Sequence, residues 1–194
     1  MLTKKKLIPK ILENYLDYLI AIKGCSLNTS KAFSSDIMLF FTFVQKYKNI
    51  PVSTNSFNIF IILQIKESDV FAFLVYLNYS RDNNAYTRQR RITAIKSFYK
   101  WIFSVYPKIT SQKMNPTLGI PFIRKIERLP QYLKLSQAKE IQNIFNPSNT
   151  RFPKRNNAII TLFLSSGIRL SELINIDIAD INFDNNNIII FRKK

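Results

Sequence analysis

Apolar residues recur at helical spacing through the first hundred positions. In 7–22, Ile8, Ile11 or Leu12, Tyr15, Leu19 and Ile22 form one stripe, which predicts an amphipathic helix. In 29–47 the same spacing returns with Phe33, Ile37, Phe40, Val44 and Tyr47, and Asn28 or Thr29 suits the N-cap. Ser68 and Asp69 open a third helix carrying Phe71, Leu74, Val75 and Leu77. A fourth runs from about 86 to 106, with Ile92, Ile95, Tyr99, Ile102 and Tyr106 on one face. Residues 1–106 therefore read as a small helical bundle, with 48–67 a long connection that has room for a short segment of its own.

The pattern then breaks. Pro107, Pro116, Pro121 and Pro130, with Gly119, defeat a continuous helix and predict a stiff, extended stretch. We expect a helical domain over 1–110, a linker over 111–130 and a second domain from 131. In that second part, 135–145 reads as a helix capped by Ser136. Residues 156–165 are apolar nearly all round (Ile159, Ile160, Leu162, Phe163, Leu164), which predicts a buried helix stopped by Gly167. A short helix at 171–175 and a hairpin (181–183, turn 184–187, 188–191) follow. The fold class is mainly α with a terminal β-hairpin, and that hairpin, with no later element to pack against, is expected to be only marginally stable.

Composition narrows the chemistry. The 194 residues hold no His and one Cys, Cys25, so zinc fingers, Ser-His-Asp or Cys-His catalytic pairs and disulfide frameworks are excluded. A single Cys suits a reducing, cytoplasmic compartment. Three glycines leave no Gly-rich phosphate loop, and no apolar run approaches a membrane span, so no membrane is expected as a partner; no small-molecule substrate is expected either. The formal charge is +17, with a pI near 10.1. Such a balance points to a polyanion, most often nucleic acid. A competing account is codon bias, since Ile, Asn and Lys are all abundant.

The charge is unevenly placed. Residues 1–128 carry a net +13 and residues 129–194 a net +4. No acidic residue lies between Asp82 and Glu127, while Arg88, Arg90, Arg91, Lys96, Lys100, Lys108, Lys113, Arg124 and Lys125 all do. On the fourth helix Arg90, Lys96 and Lys100 share an arc beside the apolar stripe, and Arg88 and Arg91 crowd the first turn. A face of one sign fits phosphate contact better than the mixed charges of an ordinary solvated helix.

Several strings then carry a resemblance. Ser165-Ser166-Gly167-Ile168-Arg169-Leu170-Ser171-Glu172-Leu173 resembles the T-G-[LI]-R-x-S-E-L box of tyrosine recombinases, the XerC/XerD and phage-integrase family. Asn115-Pro116 with Gly119-Ile120, and Arg128-Leu129-Pro130, resemble that family's interdomain linker; Leu135-Ser136 with Glu140 resembles the start of its catalytic domain. Lys23-Gly24-Cys25-Ser26-Leu27-Asn28-Thr29 with Asp36, and the run from Arg91 to Tyr99, resemble two segments of its core-binding domain; Asp180-Ile181 matches the pair that follows the arginine box.

The resemblance implies a SAM-like four-helix core-binding domain followed by the N-terminal part, helices plus hairpin, of a mixed α/β catalytic domain. It implies double-stranded DNA as partner, other recombinase protomers in a tetramer on two DNA sites, and strand exchange through a 3′-phosphotyrosine without metal, ATP or other cofactor. Arg169 then matches the first catalytic arginine, whose permanently charged fork suits a phosphoryl transition state. Glu172 matches the acidic residue that supports it. Lys193, or else Lys194, falls where the hairpin lysine is expected, although Arg192-Lys193-Lys194 stands in place of Gly-Lys-Gly. The candidate DNA contacts are Asn28, Thr29, Lys31, Arg88, Arg90, Arg91, Lys96, Lys100, Arg124 and Lys125.

The family's His-x-x-Arg element has no counterpart, since His is absent, and all nine tyrosines precede Arg169, so none matches the nucleophile. The sequence therefore reads as a truncated recombinase: a gene fragment, a split or frameshifted product, or a deliberately shortened protein. Cleavage by these residues alone is not expected. A stand-alone DNA-binding module that occupies recombination sites is the alternative, and a non-DNA helical scaffold the third reading.

Overall fold

The computed structural model describes residues 8–111, 114–124, 129–144 and 151–190. The chain divides into two compact units, Met1–Glu127 and Arg128–Lys194. Helices dominate, and among the described residues the one sheet is a two-stranded antiparallel pair.

In the first unit, α1 (Lys10–Ala21) starts directly after Pro9, whose fixed φ of −55° directs the chain into the helix and whose carbonyl accepts the N–H groups of Leu12 and Glu13. It ends at Gly24 (φ 61°), a left-handed turn that returns the Lys23 and Cys25 N–H groups to the carbonyls of Tyr18 and Leu19. The cap of α2 (Leu27–Tyr47) is Ser26: its hydroxyl accepts from the Thr29 N–H at 3.2 Å, so Asn28 and Thr29 lie inside the first turn instead of capping it. The 48–67 connection contains a 3₁₀ turn (Thr54–Ser56) and α3 (Ile59–Leu63). Its Phe57, Ile62 and Ile65 are buried in the core.

Helix α4 (Glu67–Tyr79) is started by Asp69, which accepts the Lys66 N–H at 2.8 Å and pairs with Lys48 at 2.9 Å. Asn84 caps α5 (Ala85–Val105), accepting from the Thr87 N–H at 2.9 Å. The long α5 packs against α2 and α4. Around it Leu12, Tyr15, Ile37, Phe40, Phe41, Phe73, Leu77, Ile92, Phe98, Tyr99 and Ile102 are shut off from solvent. Edge-on aromatic pairs knit this core: Tyr15 and Phe98 have ring centroids 5.2 Å apart, Phe41 and Phe98 5.7 Å, and Phe40 and Phe73 5.1 Å.

The proline-bearing segment 114–124 is held on this unit. Asn115 Oδ1 accepts both the N–H and the hydroxyl of Thr117, at 3.0 and 2.8 Å, which makes the turn. Ile120 is 2% exposed and belongs to the core. Gln89 accepts the Ile123 N–H at 2.7 Å, and the Lys96 ammonium donates to the Ile120 carbonyl while sitting 4.9 Å over the Phe122 ring. Gly119 lies so close to the Glu67 carboxylate that a β-carbon there would displace it.

In the second unit, α6 (Leu135–Ile144) packs against α7 (Pro153–Ser166). Ser136 lies within α6; the capping role falls to Gln137, which accepts the Lys134 N–H at 2.9 Å. Phe145, expected at the end of this helix, lies outside the described residues. α7 begins earlier than its periodicity indicates because Pro153 fits the first helical position. Its stop is as expected: Gly167, φ 61°, returns its N–H to Phe163.

The expected burial of α7 is not met. Ile159, Ile160, Leu162, Phe163 and Leu164 are all only half-buried, because one neighbouring helix covers only part of a helix circumference. Then come α8 (Leu170–Ile174), a 3₁₀ turn (Ile178–Asp180) and the hairpin of β1 (Ile181–Asn182) and β2 (Asn187–Ile188), paired Ile181 with Ile188 and Asn182 with Asn187. The strands are shorter than expected. The Asn182 carboxamide accepts the Asp184 and Asn185 N–H groups, at 3.0 and 2.9 Å, and so closes the turn early.

Candidate functional site

The cationic residues of α5 do not share one environment. Arg90 is half-exposed, and its guanidinium grips the Asp36 carboxylate with two donors, Nη1 to Oδ2 and Nη2 to Oδ1, the latter at 3.0 Å. Its neighbour Arg91 turns inward: its side chain is 14% exposed, its Nε lies 3.6 Å from Asp36 Oδ1, and Nε and Nη1 make no hydrogen bond. Burial pushes the Arg91 guanidinium below its ordinary pKa. Burial also raises the Asp36 carboxyl, more than the two guanidiniums lower it. Arg88 is directed at the preceding turn, donating to the Asn78 carboxamide and, at 2.9 Å, to the Asn83 carbonyl.

Lys96 is committed to the Ile120 carbonyl, and Lys100 is exposed. Lys100 borders a hollow of about 410 Å³ shared with Lys23, Ser97, Ser104, Tyr18, Phe33 and Trp101. At the start of α2, Asn28 and Lys31 are exposed and Thr29 is half-buried, its hydroxyl 3.0 Å from that of Ser26. Arg124 is exposed. Lys125, Lys193 and Lys194 lie outside the described residues. The structure thus gathers Arg90, Lys96 and Lys100 along one side of α5 and draws Arg88 and Arg91 away from it. Asp36, on α2, balances charge that the sequence of α5 alone leaves unbalanced. The signal for it was present in the α2 segment, but a sequence cannot show that 36 and 90 meet.

In the second unit the arginine box has a defined geometry. Gly167 ends α7, Ile168 is buried, and Arg169 takes an extended backbone (φ −77°, ψ 150°) before α8. Glu172 then closes a loop on it: Oε2 accepts the Arg169 backbone N–H at 3.0 Å and Oε1 accepts from Nη1 at 2.9 Å. One carboxylate therefore satisfies the helix N-terminus and orients the guanidinium. The Arg169 side chain is 65% exposed and that of Glu172 13%. This arrangement can present a fixed cationic fork to an oxyanion.

Comparison with known proteins follows the same division. The family model described as phage integrase, N-terminal SAM-like domain, matches residues 12–104, and that of the phage integrase family matches residues 133–194. The tyrosine recombinase XerC of Caldanaerobacter subterraneus subsp. tengcongensis is 34% identical over 184 residues, covering 91% of this chain and 50% of that protein. The tyrosine recombinase XerD of Rickettsia prowazekii is 28% identical over 180 residues, covering 91% and 51%. A crystal structure of XerA recombinase aligns at 21% identity and a TM-score of 0.41, over 95% of this chain and 55% of that one. The chain spans about half the length of the curated relatives it matches.

Proposed function

The chain belongs to the phage integrase family of tyrosine recombinases, and we propose that it binds double-stranded DNA as the core-binding and partial catalytic portion of a site-specific recombinase in the cytoplasm. The observation that carries this reading is the cationic side of α5, where Arg90 and Lys100 are exposed beside the half-buried Lys96, in the region matched by the SAM-like domain. Asn28 and Lys31 at the start of α2 are exposed and supply further contacts. No helix among the described residues is long and apolar enough to cross a membrane. DNA binding of this kind is driven by counterion release, so affinity falls steeply with salt. Fluorescence anisotropy of a labelled duplex across a salt series tests it; a native chain that binds no duplex at low salt refutes it.

Within this reading Arg169 contacts the scissile phosphate, Glu172 holds its guanidinium in place, and Lys193 (or Lys194) serves as acid toward the leaving 5′-oxygen. Recombination would require other protomers assembled on two DNA sites. No cofactor or metal is needed for such a transfer, because the tyrosine ester conserves the phosphodiester energy.

A further inference from the structure

A carboxylate is an unexpected component of a DNA-contacting surface. Asp36 is 3% exposed on α2, yet it reaches Arg90, 54 residues away in sequence, and its neighbour Arg91 on α5. Its hold on the two arginines is unequal. Arg90 gives it one edge of the fork and keeps half its side chain in solvent. Arg91 lies almost wholly inside, its charge compensated by the same carboxylate.

We propose that Asp36 is a positioning residue for DNA binding: it fixes the Arg90 guanidinium so that its free edge faces a backbone phosphate, while Arg91 is the buried counter-charge that anchors Asp36 and does not itself contact DNA. The geometry explains how. A guanidinium has five N–H donors in a rigid plane. Asp36 takes two of Arg90's, one on each terminal nitrogen, which stops rotation of the plane and leaves the other donors directed away from the carboxylate. Arg91, with a like charge beside Arg90, keeps Asp36 from being satisfied by Arg90 alone and so from drawing that side chain fully inward. The cluster carries a net single positive charge, and the solvent-facing share of it belongs to Arg90.

This inference rests on the DNA-binding reading above and makes a prediction of opposite sign from simple charge counting. Asp36→Asn adds one unit of positive charge, which by long-range electrostatics should tighten binding. Positioning requires the reverse. In the full chain, with a labelled duplex of about 30 base pairs of mixed sequence, Asp36→Asn should bind about three- to tenfold more weakly, with the slope of log affinity against log salt shallower by about one. Arg90→Gln should show the same loss, and the double variant should be no weaker than Arg90→Gln alone. Arg90→Lys keeps the charge but not the fork, so it should also weaken binding about threefold or more. That variant serves if Asp36→Asn does not fold; circular dichroism checks each protein at the assay temperature.

Equal or tighter binding by folded Asp36→Asn, native affinity in Arg90→Lys, or additive losses in the double variant would each overturn the inference and leave the DNA-binding reading standing. Failure of the native chain to bind the duplex would overturn both.

Discussion

Tyr15 illustrates how single polar atoms are placed in this core. Its ring is fully buried against Phe98 and Trp101, and its hydroxyl donates to Ser97 at 2.8 Å. Burial pushes the phenol from 10.0 up to about 12, with the Ser97 contact opposing it. The folded state thus keeps a proton that the unfolded state gives up. The resulting stability is whole below pH 10 and is lost as pH rises from 10 toward 12. Tyr99, fully buried and donating to the Ile62 carbonyl, is raised for the same reason and acts in the same direction. Tyr15→Phe should cost about 1 kcal/mol at neutral pH, the worth of one hydrogen bond, and should flatten the fall in stability above pH 10 without abolishing it. Urea melts at pH 7 and pH 11 check both parts; an unchanged alkaline slope would contradict the assignment.

Gly167 is a second residue with a separable role. It sits at φ 61°, and an added β-carbon would meet nothing within 4 Å. Gly167→Ala therefore pays only for the left-handed backbone, about 1 kcal/mol. Because Arg169 follows by two residues, thermal melts should show that loss, while a crystal structure of the variant should keep the Arg169–Glu172 contact at 2.9 Å. The sequence identified this glycine correctly, since a helix stop is a local property. It misplaced the caps at Asn28 or Thr29 and at Ser136, because several neighbouring residues offer a similar oxygen: the extended backbone at Ser26 makes it the cap of α2, and Gln137 takes the Lys134 N–H at α6.

At the scale of elements, the sequence conveyed each long helix of the first unit to within a few residues, because amphipathic spacing and burial coincide there. It left α3 unassigned: Ile59-Phe60-Ile61-Ile62-Leu63 is too short for a helical period to emerge, and only tertiary packing shows that Ile62 is core while Phe60 is 68% exposed. The segment 114–124 is the sharper case. Its prolines indicated an extended stretch, but nothing local shows Ile120 entering the core or Gln89 and Lys96 reaching it from α5. Its two apolar residues should therefore respond differently. Ile120→Ala should destabilise the chain by about 2–4 kcal/mol through a core cavity, and Phe122→Ala, 78% exposed, by well under 1 kcal/mol. Denaturant titration distinguishes them, and equal effects would mean the segment is not held as described.

The hairpin gives the complementary expectation. Two-residue strands with exposed flanking residues resist opening weakly. Amides of 181–190 should exchange with solvent orders of magnitude faster than those of the buried middle of α5, and slow exchange there in the isolated chain would contradict this.

For the whole molecule, the family was legible because its short strings keep their order along the chain, whereas the partition of basic residues into exposed and committed ones was not, since that depends on contacts between α2, α5 and the 114–124 segment. The remaining question is chemical. Arg169 and Glu172 form an oriented cationic site, but attack on a phosphate also needs a nucleophile, and the nine tyrosines all precede Arg169. Tyr15 and Tyr99 are fully buried in the core, where burial opposes the phenolate form of both. Tyr132 alone lies in the same unit as Arg169, and it is 86% exposed on a stretch with no helix or strand to fix it. Transfer demands a nucleophile held in line with the leaving oxygen, and an unheld phenol forfeits most of that advantage. A nicked suicide duplex incubated with the 194-residue chain should therefore yield a salt-sensitive complex and no covalent adduct on denaturing gels. Arg169→Ala should alter that binding only slightly, as the loss of one phosphate contact. An adduct mapped by mass spectrometry to Tyr132 would show that these residues suffice for cleavage, and would make Arg169→Ala the decisive variant for its rate.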